Sequence, residues 1–179
     1  MKKPQLMIIL GAPASGKTGL ALRLAAELSR PILCKDDVKE ALFDVLGATD
    51  REGSRRYSEA ALAAVLRMAR TQLCAGSSCM IEGNFTQNHT AALREILGAS
   101  EASAAQILCA VPLHELERRF AARVRHPGHL DPAVSADDLR RMAEQQSSFL
   151  DLAGGRWVYE SADPAAYSAL LRDLKFRRL

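Results

Sequence analysis

Residues 6–18 read LMIILGAPASGKT: five apolar residues, a glycine-rich turn, then a lysine and a threonine. The last eight fit the spacing G-x-x-x-x-G-K-[ST], and each fixed position has a mechanical reason. Gly11 and Gly16 permit a backbone path whose N–H groups converge on one anion, and the positive end of the following helix faces the same point. The sequence therefore predicts a phosphate-binding loop made by Gly11, Ala12, Pro13, Ala14, Ser15, Gly16, Lys17 and Thr18. Lys17 is expected to reach the β- and γ-phosphates of ATP, and the Thr18 hydroxyl to ligate Mg²⁺.

Outward from this loop, short apolar runs alternate with helical patterns, which predicts an α/β protein with a parallel sheet. The expected strands are 6–10, 32–34, 78–81, 106–111 and 156–159. The expected helices are 17–29, 38–46, 58–75, 89–97, 113–124, 136–152 and 164–174. No repeat, low-complexity tract or long linker interrupts residues 1–179, so a single domain is expected. The stretch RHPGHLDP, 125–132, carries two prolines and a glycine that no helix can pass through, and a mobile lid over the nucleotide is expected at 125–137.

Composition sets the outer bounds. The chain is 48% apolar and 25% charged, the balance of a globular protein rather than a disordered one. Its net charge of +3 and 5% aromatic content lack the basic stripe of a nucleic-acid binder. No apolar run reaches the ~20 residues that span a bilayer. MKKPQLMIIL briefly mimics a signal peptide, but its apolar core is short and runs straight into the phosphate loop, so a cytoplasmic protein is expected. Cys34, Cys74, Cys79 and Cys109 have no CxxC spacing and read as structural thiols.

Three further segments carry charge where chemistry would need it. The second expected strand ends in Lys35-Asp36-Asp37. Ligands in open parallel sheets bind beyond the carboxyl ends of the strands, so Asp36 is placed to accept a proton from an attacking hydroxyl. Either aspartate could instead cap a helix starting at Val38. The third strand runs into Glu82-Gly83-Asn84. Glu82 could support the metal through water or simply open a turn, and Asn84 could touch substrate or form that turn. In the helix after the fourth strand, Arg119 and Arg123 lie four apart on one expected face, while Arg118 and Arg125 share another. Arginine suits a transferring phosphoryl group, and the nearby proline turn favours that use over a solvated basic face. His126 and His129 flank Pro127-Gly128 without metal-ligand spacing, and polar lid residues are the expectation.

Taken in order, GAPASGKT, CKDDVKEAL, CMIEGNF and VPLHELERRFAARVRHPGH resemble the small P-loop kinases: the kinase domain of phage polynucleotide kinase, chloramphenicol phosphotransferase and the zeta-type toxins. The likeness covers residues 5–145. It implies five parallel strands in the order 2-3-1-4-5 with helices on both faces. It also implies Asp36 as general base with Asp37 beside it, Lys39 as a substrate contact, and Arg119 and Arg123 as catalytic lid arginines. Asp is usual where this chain has Glu82. The resulting expectation is an ATP- and Mg²⁺-dependent phosphotransferase acting on a hydroxyl of a small molecule. A nucleic-acid 5′-hydroxyl kinase and a non-catalytic ATP-binding switch are the alternatives. No motif specifies the acceptor or the oligomeric state.

Overall fold

β1, Gln5–Leu10, is buried along its whole length because both of its faces are covered. Leu6, Ile8 and Leu10 pack on one side of the sheet with Val65, Leu73, Ile81 and Leu93. Met7 and Ile9 pack on the other with Leu20, Leu24, Ile107 and Leu170. This is a computed structural model, and it describes residues 3–47, 50–129 and 134–177.

The remaining strands are β2 (Ile32–Cys34), β3 (Cys79–Glu82), β4 (Ser103–Ala110) and β5 (Gly154–Glu160). All pair in parallel, in the order β2-β3-β1-β4-β5. The helices are α1 (Lys17–Leu28), α2 (Lys35–Leu46), α3 (Arg51–Cys74), α4 (Thr90–Ala99), α5 (Leu113–Ala122), α6 (Ala136–Gln145) and α7 (Ala166–Phe176). α3 and α4 cover the first face of the sheet; α1 and α7 cover the second.

Several boundaries differ from the sequence expectation, each for a local reason. α2 starts at Lys35 rather than Val38, directly from the end of β2 with Cys34 as its N-cap, so neither Asp36 nor Asp37 caps it from outside. α3 begins at Arg51 rather than Ser58, because Asp50 accepts a hydrogen bond from Gly53 N (2.8 Å) and starts the helix early. α5 stops at Ala122, leaving Arg123 and Val124 outside it. α6 stops at Gln145 rather than Leu152; Leu150 and Leu152 turn instead into the core beside Gln106, whose amide bonds both carbonyls. Ser135 caps the start of α6 in a reciprocal Ser135–Asp138 capping box. Of the expected lid at 125–137, residues 130–133 lie outside the described residues; Pro127–His129 form one 3₁₀ turn, and 136–137 already belong to α6.

Candidate active site

The turn after β1 has the backbone of an anion nest. Gly11, Ala14 and Gly16 have φ of 141°, 65° and 92°, and Ser15 N bonds Ala12 O (3.1 Å). Gly11 is needed for space as well: a Cβ there would stand 2.7 Å from Cys109 O and from Ser15 Oγ. α1 begins one residue after Gly16, so its N-terminus faces the nest. Lys17 is buried and donates from Nζ to Ala12 O at 2.9 Å. Burial lowers its pKa, against the opposing pull of Glu82 and Asp36.

Two carboxylates face this loop. Glu82, the last residue of β3, is 2% exposed and accepts a hydrogen bond from the Thr18 hydroxyl. Burial raises its pKa, Lys17 opposes that rise, and Oε2 has no partner among the described residues. Asp36, in the first turn of α2, meets Arg125 Nη2 through Oδ2 (2.5 Å) and Lys35 Nζ through Oδ1 (3.3 Å). Burial alone would raise its pKa, but Lys35, Arg125 and His129 outweigh it and hold the group well below the usual carboxylate range. Asp37 points elsewhere: it accepts from the Cys34 thiol, and burial with Glu40 nearby raises its pKa.

One cavity of about 180 Å³ collects these groups: Pro13, Ala14, Gly16, Lys17, Thr18, Asp36, Glu82, Asn84, Arg123 and Arg125 line it. The expected one-face arrangement of Arg119 and Arg123 is not what forms, because α5 ends between them. Arg123 is in extended backbone, stacks its guanidinium on the Phe120 ring (4.1 Å) and lines the cavity. Arg119 stays on α5 and holds Ser161 through Nη1 (2.8 Å to Oγ) and Nη2 (3.3 Å to the carbonyl), beside Gly16. Nor do Arg118 and Arg125 share a face: exposed Arg118 pairs with half-buried Glu115, and Arg125 reaches Asp36. Lys39 is buried, gives Nζ to Ser54 Oγ (3.0 Å), and is not among the residues lining the cavity.

Residues 123–129 form an arm lying on α2 and α3. Ser54 Oγ donates to Gly128 O (3.1 Å), and Gly128 is so close to Phe43 that a Cβ there would stand 2.3 Å from the ring. His126 Nδ1 accepts from Gly128 N, which leaves Nε2 as the donor to Asp44 (3.0 Å). His129 Nε2 lies 2.7 Å from Glu40 and 2.9 Å from Arg125, and one ring nitrogen can hydrogen-bond only one of them. Sequence spacing missed Arg125 as the partner of Asp36, since 89 residues separate them. It also missed Ser161, although that residue follows the end of β5, where such folds gather their sites.

The parallel sheet, its strand order and the loop at the end of β1 define a three-layer α/β P-loop NTPase fold. Residues 6–149 match the AAA domain family, and the chain belongs to it. It is similar to a candidate kinase from Chloroflexus aurantiacus, at 31% identity over 97% of this chain and 98% of that one, with a TM-score of 0.85. A sugar kinase from Janibacter sp. HTCC2649 shares the fold at 18% identity (97% and 94% covered, TM-score 0.62). So does the Mycobacterium tuberculosis APS kinase, solved with AMPPNP and APS, at 16% identity (100% of both chains, TM-score 0.61). No curated protein sequence matches the chain. Among the described residues no helix is long and apolar enough to cross a membrane.

Proposed function

We propose that this chain is an ATP- and Mg²⁺-dependent phosphotransferase that moves the γ-phosphate to a hydroxyl of a small molecule. The observation that carries the reading is the shared cavity, in which Lys17 and Thr18 meet Asp36, Arg123 and Arg125. The kinase descriptions of the similar structures agree with it. The finer likeness to the polynucleotide kinase, chloramphenicol phosphotransferase and zeta-toxin group belongs to this proposal too.

The residues fit a hard cation. Thr18 and Glu82 are already paired through the threonine hydroxyl, Glu82 Oε2 is buried and without a partner among the described residues, and all the donors are oxygens. Mg²⁺ held there by Thr18, with Glu82 behind it, would neutralise charge on the bridging phosphates. Lys17 exchanges the Ala12 carbonyl for phosphate oxygens, and the backbone N–H groups of Ala14, Gly16, Lys17 and Thr18 receive the β-phosphate. Arg123 and Arg125 are placed to meet charge growing on the transferring group. While Arg125 holds Asp36, that carboxylate is a poor base. A triphosphate in the loop offers Arg125 a competing anion, and its release restores basicity to Asp36, which then accepts the acceptor's proton. The arm over α2 and α3 keeps out water, which would otherwise compete as acceptor.

The test is ADP release from Mg·ATP across a panel of sugars, polyols, amino alcohols and antibiotics, with 5′-hydroxyl oligonucleotides alongside over a range of salt. A small molecule that raises ADP release and is recovered phosphorylated supports the reading. Stimulation by oligonucleotide alone, weakening steeply with salt, would make the chain a nucleic-acid kinase. Tight ATP binding with no turnover on any acceptor would make it a switch.

A further inference from the structure

The sheet has two edges, and they are not alike. β2 ends it on one side with three residues, all buried or half-buried. β5 ends it on the other with seven, which alternate between exposed and half-buried. Trp157 and Tyr159 pack on the side of α7, with Leu170 and Leu174. Arg156, Val158 and Glu160 share the exposed face, and Val158, apolar and β-branched, is 52% exposed. Ser161 N donates to Ala110 O (2.9 Å), which fixes the direction of the peptides before it. Both backbone groups of a residue in a parallel strand point to the same side, and successive residues alternate. Trp157 and Tyr159 therefore bond β4, while the N–H and C=O of Arg156, Val158 and Glu160 point off the sheet. Among the described residues, the one backbone bond to these outward groups is Asp163 N to Glu160 O (3.0 Å). Such an edge is a template for a further strand.

We propose that the strand is β5 of a second copy of this chain, paired antiparallel about a two-fold axis at Val158. Charge selects that register. With the axis there, Arg156 lies opposite the partner's Glu160, Glu160 lies opposite the partner's Arg156, and Val158 covers its own copy. An axis at Arg156 or at Glu160 would set like charges face to face, and one at Trp157 or Tyr159 sets no charge opposite its counterpart. The outward backbone groups match as well. Val158 exchanges two N–H···O bonds with its copy, and each Glu160 N–H meets the carbonyl of the partner's Arg156. Each Arg156 N–H returns to the partner's Glu160 O, whose second lone pair is open beside Asp163 N. The side chains can also serve: Arg156 gives Nη2 to Leu150 O and Leu152 O (3.2 Å each) and has further N–H groups for a carboxylate. The Glu160 carboxylate has no ion-pair partner among the described residues. A two-fold contact closes on itself, so assembly stops at two chains. The inference does not depend on phosphoryl transfer.

The full chain is followed by sedimentation from about 1 μM to about 1 mM, with amide exchange by NMR at both ends of the range. Wild type should pass from monomer to dimer. Within β5, dimerisation should slow exchange at Arg156, Val158 and Glu160 but not at Trp157 and Tyr159, which already bond β4. Val158→Pro removes the central N–H where it faces solvent, a change that edge strands tolerate. It should abolish the dimer and leave the monomer's melting temperature near wild type. Arg156→Glu and Glu160→Arg should each weaken self-association about 10–30-fold, because two like-charge contacts replace two opposite ones. Mixed in equal amounts, the two variants should form a heterodimer as tight as wild type, since each contact again joins opposite charges. A chain monomeric throughout, a dimer that survives Val158→Pro, or a mixture as weak as either variant alone would each overturn the proposal. If Arg156→Glu does not fold, the exchange pattern and Val158→Pro still decide it.

Discussion

The phosphate loop and the arm at 123–129 face the same cavity but are held in place by opposite means. The loop grows from a strand with every residue buried, and its shape is made of backbone: three positive φ values and the start of α1. The arm has one 3₁₀ turn, and apart from the Phe43 contact it is seated by side-chain bonds to α2 and α3: Arg125 to Asp36, His126 to Asp44, His129 to Glu40 and Ser54 to Gly128. A backbone nest cannot be dismissed without unfolding β1. The Arg125–Asp36 and His126–Asp44 links join partly exposed groups and can be exchanged for others at small cost, although Ser54–Gly128 and the His129 ring are buried. The loop is thus a fixed receptor and the arm a conditional one.

The largest expected effect lies where the two meet. Asp36→Asn keeps size and most hydrogen bonding but cannot take a proton. Transfer should fall by about 10²–10⁴, roughly 3–5 kcal/mol of barrier, with ATP affinity retained. Asp37→Asn, turned towards Cys34, should remain near normal. Turnover assays and ATP titration on both variants check this, and a collapse confined to Asp37→Asn would move the base one residue along.

Lys17→Ala strikes the fixed side alone. Transfer should drop by about 10²–10³, and the arm's hydrogen exchange without nucleotide should not change. Wild-type calorimetry and turnover for this variant would mean that the nucleotide site is wrongly placed.

Gly128→Ala strikes the conditional side. The added methyl must displace Phe43 or lift the arm, which overpacking data put at about 1–3 kcal/mol, a fall of several degrees in melting temperature. Amide exchange across 125–129 should quicken while nucleotide affinity holds. Affinity falling as steeply as stability would show that loop and arm are one unit.

The smallest effect is a pH signature. The native pKa of Asp36 is depressed, so its pair with Arg125 stabilises the fold fully above the ordinary aspartate value of about 4, and that contribution is lost as pH falls through the lower native value. Unfolding free energies of wild type and Arg125→Gln, measured by denaturant titration, should differ by a constant amount, about 1 kcal/mol, above pH ~4 and converge below it. Convergence near pH 6–7 instead would implicate the histidines of the arm.

The same division explains what could be read from the sequence. Strand order followed from the family resemblance, and the loop followed from glycine positions, which rest on local backbone rules. The arm did not. Asp36 and Arg125 pair across 89 residues, and no periodicity encodes such a contact. Arg123 was misplaced because the helical spacing of Leu113, Leu116, Phe120 and Val124 runs two residues past the true end of α5; Val124 is in fact fully exposed. The early start of α3 was hidden by Gly53, which reads as a breaker yet supplies the N–H that Asp50 accepts. Lys39 was expected as a substrate contact from the family resemblance; its ammonium donates to Ser54 Oγ, a contact across 15 residues that no spacing rule supplies.

There is no loop between β2 and α2: Cys34 ends one and caps the other. Asp36 therefore rides on two rigid elements with no slack in the chain between them. Insertions and deletions, the usual raw material of new specificity, cannot enter there without carrying the carboxylate away from the phosphates. On the proposed function, a lineage changing its acceptor is left to rework what surrounds this anchor, the start of α3 and the arm, while the distance from Asp36 to the phosphate loop is inherited unchanged.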